Sequence, residues 1–371
     1  MLIGIGLGVA GLSVAGLSVA GLGTAKAATL PTASAQRPEA QKVAAASRVV
    51  IAHRGASGYL PEHTLAAAAM AHAQGAHYQE QDVVMTKDDQ LIVWHDLTLD
   101  RTTDVSTRFP GRAREDGAHY VIDFTLDEIR QLRITEARRV DESGNDVMIY
   151  PDRFPLWQSS FRVNTFAEQI ELIQGLNRST GRNVGLYPEL KAPALHQSHG
   201  KDIGRAVLAE LKRYGYVNKD SNVYVQTFEF DELRRVKEEL FAELGVELRL
   251  VQLMGNTSDY DWMLTPDGMQ ELARFADGIG PEKGMIIDPE SEPDKLVFTS
   301  LVRDAHAAGL QVHPYTFRAD VGQVPVYADS FEHMLELFLF DAGIDGVFTD
   351  FPDRAVNFLR HRQDDQDRES R

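Results

Sequence analysis

From residue 48 onward, short apolar runs rich in β-branched and aromatic residues alternate with longer segments of helical periodicity. This alternation is typical of strand–helix–strand units that build a parallel sheet. Eight strand-like runs predict a closed (β/α)8 TIM barrel, an α/β fold. These runs are Val49–His53, His77–Val83, Val184–Leu190, Val223–Thr227, Leu248–Leu253, Asp277–Pro281, Gln311–Tyr315 and Gly346–Thr349.

An open, doubly wound sheet would give the same alternation of strands and helices. No Gly-x-Gly-x-x-Gly turn follows the first run, which disfavours the dinucleotide-binding version of that sheet. The length of 371 residues suits either one barrel or two smaller domains. The number of strand-like runs favours the barrel.

Helical periodicity predicts helices over Glu62–Gln74, Asp202–Tyr214 and Asp231–Leu244. The segment 102–162 is too long for a simple loop and contains turn-rich stretches. We interpret it as an insertion after strand two that lies over the barrel mouth and holds a short helix at Leu126–Leu132.

The two ends of the chain differ in character from the predicted barrel domain, 47–360. Leu2–Gly23 carries no charge and small residues follow it, which predicts a signal peptide over 1–27. Residues 28–46 are predicted to form a flexible linker and 361–371 a disordered tail. We expect export, with a periplasmic location and no stable membrane span in the mature form. A secreted or membrane-anchored protein is the alternative.

The net negative charge of the chain limits the kinds of molecule that it can bind. The chain has 55 acidic against 38 basic residues and a net charge of −17, which argues against a nucleic-acid partner. An anionic substrate would therefore need local positive charge from Arg, Lys or a metal ion. The absence of cysteine excludes disulfides, thiolate nucleophiles and cysteine zinc sites.

Residues suited to catalysis lie on the first three predicted barrel strands or directly after them. His53 and Arg54 end the first strand and offer a proton-transfer group beside a forked donor for phosphate oxygens. Glu80 and Asp82 are two residues apart on the second strand, so their side chains share one face. If that face is buried, the two carboxylates repel each other unless a cation lies between them.

Further candidates come from other segments. Glu189 and Lys191 repeat the two-residue spacing on the third strand, where Glu189 could complete an oxygen site for a hard cation and Lys191 could bind phosphate. His95 supplies a second imidazole. Weaker candidates at the predicted mouth are Phe317, Arg318, Asp350 and Gln226, for which core packing or helix capping is an equally good reading.

The four motifs together resemble those of the glycerophosphodiester phosphodiesterase family, most closely its bacterial periplasmic branch. They are the stretch 53–64 (HRGASGYLPEHT), Glu80-Gln81-Asp82, His95-Asp96 and Pro188-Glu189-Leu190-Lys191. The resemblance extends from about Val49 to Leu359. It implies a (β/α)8 barrel, as does the strand count. At His63, many family members have Asn instead, which puts one supporting hydrogen bond in doubt.

The resemblance also implies roles for the candidate residues. His53 and His95 correspond to the acid–base pair, and Arg54 and Lys191 to the groups that bind phosphate. The metal ligands implied are Glu80, Asp82 and Glu189, around one divalent ion that is calcium in periplasmic members and magnesium in others. An all-oxygen ligand set suits either ion.

The expected reaction is hydrolysis of glycerophosphodiesters such as glycerophosphocholine and glycerophosphoethanolamine to glycerol 3-phosphate and an alcohol. Two alternatives are a barrel phosphodiesterase acting on a larger phospholipid and an exported binding protein without turnover. The attacking group, water or a substrate hydroxyl, is left open, as are the head-group preference and the oligomeric state.

Overall fold

The computed structural model describes residues 48–369, so the predicted signal peptide 1–27 and linker 28–46 lie outside the described residues. In chain order, the strands of this part are β1 (Val49–Ala52), β2 (Tyr78–Met85), β3 (Leu91–Val93), β4 (Arg138–Val140), β5 (Asp146–Met148), β6 (Gly185–Leu190), β7 (Tyr224–Thr227), β8 (Arg249–Met254), β9 (Gly278–Pro281), β10 (Gln311–Val312) and β11 (Gly346–Thr349).

Eight of these strands form one parallel sheet in the order β10-β9-β8-β7-β6-β2-β1-β11. The two outermost strands approach each other, since the Asp345 N–H donates to Val312 O at 3.0 Å and the Phe348 N–H to Pro314 O at 3.1 Å. The sheet therefore curls into a nearly closed barrel. The predicted (β/α)8 fold is confirmed, and each of the eight barrel strands lies where the apolar runs place it.

The α-helices of the described residues connect the strands, and some of them begin at side-chain caps. In chain order they are α1 (Leu65–Gln74), α2 (Val105–Arg108), α3 (Leu126–Ile129), α4 (Phe166–Thr180), α5 (Pro193–Ser198), α6 (Ile203–Arg213), α7 (Phe230–Arg235), α8 (Phe241–Leu244), α9 (Pro266–Leu272), α10 (Leu301–Ala307), α11 (Phe331–Glu336) and α12 (Pro352–Glu369). Thr64 and Asp202 accept hydrogen bonds from the first turns of α1 and α6, which satisfies amides that would otherwise lack partners. The predicted helix over Asp231–Leu244 is interrupted by a π-helical turn at Val236–Leu240.

Alternation along the strands separates two cores. Side chains such as Val83, Leu186 and Leu250 point outward and pack against the helices in the larger core. The inward side chains of the same strands include Tyr78 and Tyr187, which fill the lumen. This period of two is what brings every second residue of a strand to the barrel interior.

Between β3 and α4 the chain leaves the barrel through the segment 102–162, the predicted insertion. It contains α2, α3 and the β4–β5 hairpin, and buries its own apolar cluster around Phe124, Ile129 and Leu132. The predicted helix over Leu126–Leu132 is shorter, spanning Leu126–Ile129, and begins at a capping box formed by Thr125 and Glu128.

The C-terminal segment 361–371 is predicted from the sequence to be a disordered tail. Helix α12 continues through Glu369, so residues 361–369 are helical. Arg362 in this stretch forms an ion pair with Glu336. Across residues 48–369, no helix has both the length and the apolar character to cross a lipid bilayer.

Candidate active site

A cavity of about 230 Å³ opens at the carboxyl ends of the barrel strands. Its wall includes all seven of the principal residues predicted from the sequence. They are His53, Arg54, Glu80, Asp82, His95, Glu189 and Lys191. The rest of the wall comes from strands and loops between β7 and β11, which contribute Phe228, Leu253, Glu282, Lys283, Tyr315, Thr316, Arg318 and Phe348.

His53 follows β1 and is held from one side by Asp350, which follows β11. The Nδ1 atom of His53 lies 2.6 Å from Asp350 Oδ1, while Nε2 lies 3.7 Å from Glu80 Oε2. Burial and the neighbouring Arg54 lower the pKa of His53 to about 3, so the ring is neutral near pH 7.

Asp350 fixes which nitrogen of that ring carries the proton. Burial alone would raise the pKa of Asp350, but Arg318, His53 and Arg153 hold it well below its usual range. An ionised carboxylate can only accept hydrogen bonds, so Nδ1 of His53 is the protonated atom. Nε2 of the neutral ring is therefore unprotonated, and its lone pair faces the cavity.

Arg54 adopts a left-handed backbone conformation, with φ of +58°, as the chain turns away from β1. Its amide donates to Glu80 Oε2 at 3.0 Å, and its guanidinium donates to Glu62 at 2.9 Å. Burial opposes the charged form, yet Glu62, Asp82 and Glu80 together raise the pKa of Arg54 above its ordinary value. The guanidinium is thus a fixed positive charge at the cavity wall.

Glu80, Asp82 and Glu189 form a buried carboxylate cluster in which one oxygen from each lies within 4.8 Å of the others. The two strands bring them together because Asp82 pairs with Glu189 in the β2–β6 register. Burial and the Asp82 charge raise the pKa of Glu80, and burial raises that of Glu189 to about 8. The Oδ1 atom of Asp82 is buried and has no hydrogen-bond partner among the described residues.

Lys191 and His63 both contact this cluster. Lys191 Nζ lies 2.9 Å from Glu189 Oε1 and 4.0 Å from Asp82 Oδ1. Burial would raise the pKa of Asp82, but Lys191 and His63 hold it well below its usual range. The Nε2 atom of His63, the position where many family members have Asn, lies 2.7 Å from Asp82 Oδ2.

His95 lies at the edge of the cavity beside the segment 102–162. Its Nδ1 is 2.5 Å from Asp96 Oδ1, and Arg101 donates to the other oxygen of Asp96 at 2.6 Å. Arg101 also donates to Glu62, which in turn accepts from Arg54. Burial and Arg54 lower the pKa of His95, whereas the hydrogen bond to Asp96 opposes that shift.

The model for the Glycerophosphoryl diester phosphodiesterase family matches residues 53–354, which include every residue of this cavity. The chain belongs to this family. A glycerophosphodiester phosphodiesterase of Haemophilus influenzae is 48% identical over 332 residues, covering 85% of this chain and 90% of the relative. One from Treponema pallidum is 41% identical over 332 residues, covering 85% and 92%. The prediction of a phosphodiesterase is confirmed.

Solved structures of this fold agree with the barrel. A glycerophosphoryl diester phosphodiesterase from Silicibacter pomeroyi superposes with a TM-score of 0.61 at 24% identity, covering 85% of this chain and 94% of its own. A phosphodiesterase from Oleispira antarctica, solved in complex with the product sn-glycerol-3-phosphate, gives 0.57 at 23% identity, covering 84% and 96%. At these identities the likeness concerns the fold alone.

The weaker candidates in this family member divide into two groups. Arg318 lines the cavity, while Asp350 and Gln226 lie beneath it and contact His53 and Glu80. Phe317 does not reach the site, because it is fully buried against Phe338 in the outer core.

Some residues that shape the site were missed from the sequence. Glu62 accepts hydrogen bonds from Arg54, which follows His53, and from Arg101, which also contacts Asp96 beside His95. Arg153 donates a hydrogen bond to Asp350. Glu62 stands inside the recognised stretch 53–64, which is a signal that could have identified it. Arg101 and Arg153 have no local pattern that distinguishes them from surface arginines.

Proposed function

We propose that the chain hydrolyses glycerophosphodiesters, such as glycerophosphocholine and glycerophosphoethanolamine, to glycerol 3-phosphate and an alcohol, in a reaction that depends on one divalent cation. The observation that carries the proposal is the convergence of two imidazoles, two fixed cations and three carboxylates around one small cavity. The Oleispira antarctica phosphodiesterase solved with sn-glycerol-3-phosphate supports the product.

Glu80, Asp82 and Glu189 would hold the cation. Three buried carboxylates, of which Glu80 and Glu189 have raised pKa values and Asp82 has an unpartnered oxygen, fit a hard ion that prefers oxygen ligands. When bound, the cation would supply positive charge to the phosphate oxygens. Calcium is the ion that we favour, from the resemblance to periplasmic family members, and magnesium is the alternative.

Arg54 and Lys191 approach the cavity from the two sides of the carboxylate cluster. Both carry positive charge, since the surrounding carboxylates raise the pKa of each despite the opposing effect of burial. We assign them to the nonbridging oxygens of the phosphodiester. Fixed donors at these oxygens stabilise the charge that develops as phosphorus becomes five-coordinate.

His53 is the general base in this proposal. A neutral ring with its proton on Nδ1, held by Asp350, presents Nε2 as the proton acceptor for the attacking hydroxyl. Whether that hydroxyl belongs to water or to the glycerol of the substrate, the proton leaves from the same side of the phosphate.

His95 is the general acid and protonates the leaving alcohol. Its lowered pKa in the free protein disfavours the imidazolium, but an anionic phosphodiester in the cavity would raise that pKa again. Asp96, itself held by Arg101, keeps the ring oriented in either protonation state. We therefore expect His95 to acquire its proton when substrate binds.

The two assignments are tested by His53→Ala and His95→Ala, with His333→Ala as the control because His333 lies on the exposed side of α11. Turnover of glycerophosphocholine is followed by a coupled assay for glycerol 3-phosphate. We expect a fall in kcat of about 10² to 10⁴-fold for each site variant and none for the control. Wild-type turnover by a folded site variant would remove that histidine from the mechanism.

We also propose that the chain is exported, on the basis of residues 1–27. N-terminal sequencing of protein recovered from the periplasm should show a start near Ala28. Protein that stays in the cytoplasm with residues 1–27 intact would contradict export.

A further inference from the structure

Arg153 belongs to the segment 102–162 and does not line the cavity, yet its guanidinium joins three other parts of the chain. It donates two hydrogen bonds to Asp320, at 2.8 and 2.7 Å, one to Asp350 Oδ2 at 2.5 Å and one to Ser57 O at 3.2 Å. The residue is only 8% exposed. All three nitrogen atoms of the guanidinium therefore donate hydrogen bonds.

Two of these contacts lead to His53 by separate routes. Asp350 uses its second oxygen, Oδ1, to accept from His53 Nδ1 at 2.6 Å. Ser57, whose carbonyl accepts from Arg153, donates its hydroxyl to the His53 carbonyl at 2.8 Å. Arg153 thus contacts one group that holds the ring of His53 and another that holds its main chain.

The geometry of arginine suits this arrangement. A guanidinium is planar and presents its donors in a fixed fork, so it can hold two carboxylates at a set angle. Asp320 accepts from Nε and Nη2 of Arg153, and Asp350 accepts a second hydrogen bond from Nη2. Arg318 also contacts Asp350, but it lines the cavity and its side chain is 21% exposed, so it is less enclosed than Arg153.

We propose that Arg153 is a positioning residue for catalysis, which orients the imidazole of His53 through Asp350 and Ser57. The segment 102–162 is then a working part of the active site, because it supplies the residue that fixes the general base. This inference rests on the base role proposed for His53.

The first test is Arg153→Gln, with Arg130→Gln as the matched control. Arg130 lies in the same segment and forms an exposed ion pair with Glu168. We expect kcat for glycerophosphocholine to fall about 10- to 100-fold in the Arg153 variant with KM changed less than about threefold, because the base is displaced and the phosphate contacts remain. Arg153→Lys, which keeps the charge but not the fork, should recover part of kcat. The control should match the wild type in both constants.

The second test is a double-mutant cycle between Arg153 and Asp350. If Arg153 acts through Asp350, removing it from an Asp350→Asn background should lower kcat much less than removing it from the wild type. A merely structural role predicts equal losses in both backgrounds, and that result would overturn the proposal. So would a wild-type kcat in folded Arg153→Gln protein.

Should Arg153→Gln fail to fold, Asp320→Asn carries the test, since it frees one side of the fork without touching His53. We expect kcat to fall about three- to tenfold. A wild-type kcat in this variant would mark Arg153 as structural. His53→Ala separates the two proposals: if that variant is fully active, the base assignment fails, whereas if it is inactive and Arg153→Gln is fully active, only the positioning role fails.

Discussion

The lumen of the barrel has two layers that are built by the same strands and differ in chemistry. In the lower layer, Tyr187 of β6 stacks on Tyr224 of β7 at 5.0 Å between ring centroids, and Phe348 meets Tyr187 edge-on at 4.9 Å. Two residues farther along β6 and β7, the upper layer carries Glu189 and Gln226. The inward face thus changes from aromatic rings to a carboxylate cluster within one step of the strand alternation.

The difference teaches how the fold separates stability from function. The rings of the lower layer are buried and gain free energy from packing and from loss of contact with water. The upper layer buries like charges, which costs free energy in the protein without a bound cation. The proposed reaction needs the residues of the upper layer, so changes in the two layers should affect different measurements.

The largest expected effect is on the stability of the lower layer. Tyr187→Ala should lower the free energy of unfolding by about 3–5 kcal/mol, since it leaves a cavity where a fully buried ring packed. Urea unfolding measures this loss. Turnover per folded molecule should stay within about threefold of the wild type. A severe loss of kcat in folded protein would contradict the claim that the lower layer contributes to stability and not to catalysis.

The matching change in the upper layer is Glu189→Gln. We expect kcat to fall about 10²- to 10³-fold, because a cation ligand and its charge are lost. Without added metal, the variant should be at least as stable as the wild type in urea, since burial of the Glu189 carboxylate, whose pKa is raised to about 8, no longer disfavours the folded state near neutral pH. Marked destabilisation of the metal-free variant would show that the upper layer also holds the fold together.

Calcium binding should offset the free-energy cost of burying the three carboxylates of the upper layer. A ligand that binds only the folded state stabilises it by about 2.7 kcal/mol at 100 times its Kd. Metal-depleted wild-type protein should therefore melt at a higher temperature when calcium is added, and Glu189→Gln protein should show a much smaller rise. Equal shifts in both proteins would place the ion elsewhere.

The smallest expected effect lies at the opposite end of the barrel from the cavity. His306 contacts Asp345 at 2.9 Å, and the hydrogen bond to Asp345 raises the pKa of His306 above 6.5. Its contribution to stability is present below that value and is lost as the pH rises through the folded-state pKa. His306→Gln should cost less than about 1 kcal/mol near pH 5.5 and still less near pH 8.5, with no change in kcat. Urea unfolding at the two pH values tests the sign, which a larger cost at the higher pH would contradict.

Much of the fold was predictable because the signals are local. Each barrel strand is a short apolar run, and Thr64, Asp202 and the capping box at Thr125 mark helix starts within a few residues. The carboxylate cluster was predictable for the same reason. A two-residue spacing on β2 places Glu80 and Asp82 on one face, and parallel neighbours bring Glu189 beside them.

The contacts that complete the site could not be predicted in this way. Arg153 reaches Asp350 across 197 residues of sequence, and no pattern near either residue specifies the pairing. The partnership of Glu62 with Arg101 across 39 residues is similar. Such contacts depend on how separate loops fold over the mouth, which tertiary packing decides. The ion pair between Arg362 of α12 and Glu336 of α11 is another contact with no local signal in the sequence.

The central claim is that Glu80, Asp82 and Glu189 form a cation site on which cleavage depends. The most direct test titrates metal-depleted wild-type protein with calcium while bound ion and glycerophosphocholine turnover are measured in the same samples. We predict that activity starts near zero, rises in proportion to occupancy and saturates at one ion per chain, with Glu189→Gln protein showing weakened binding. Full turnover by protein shown to contain no metal would contradict the account.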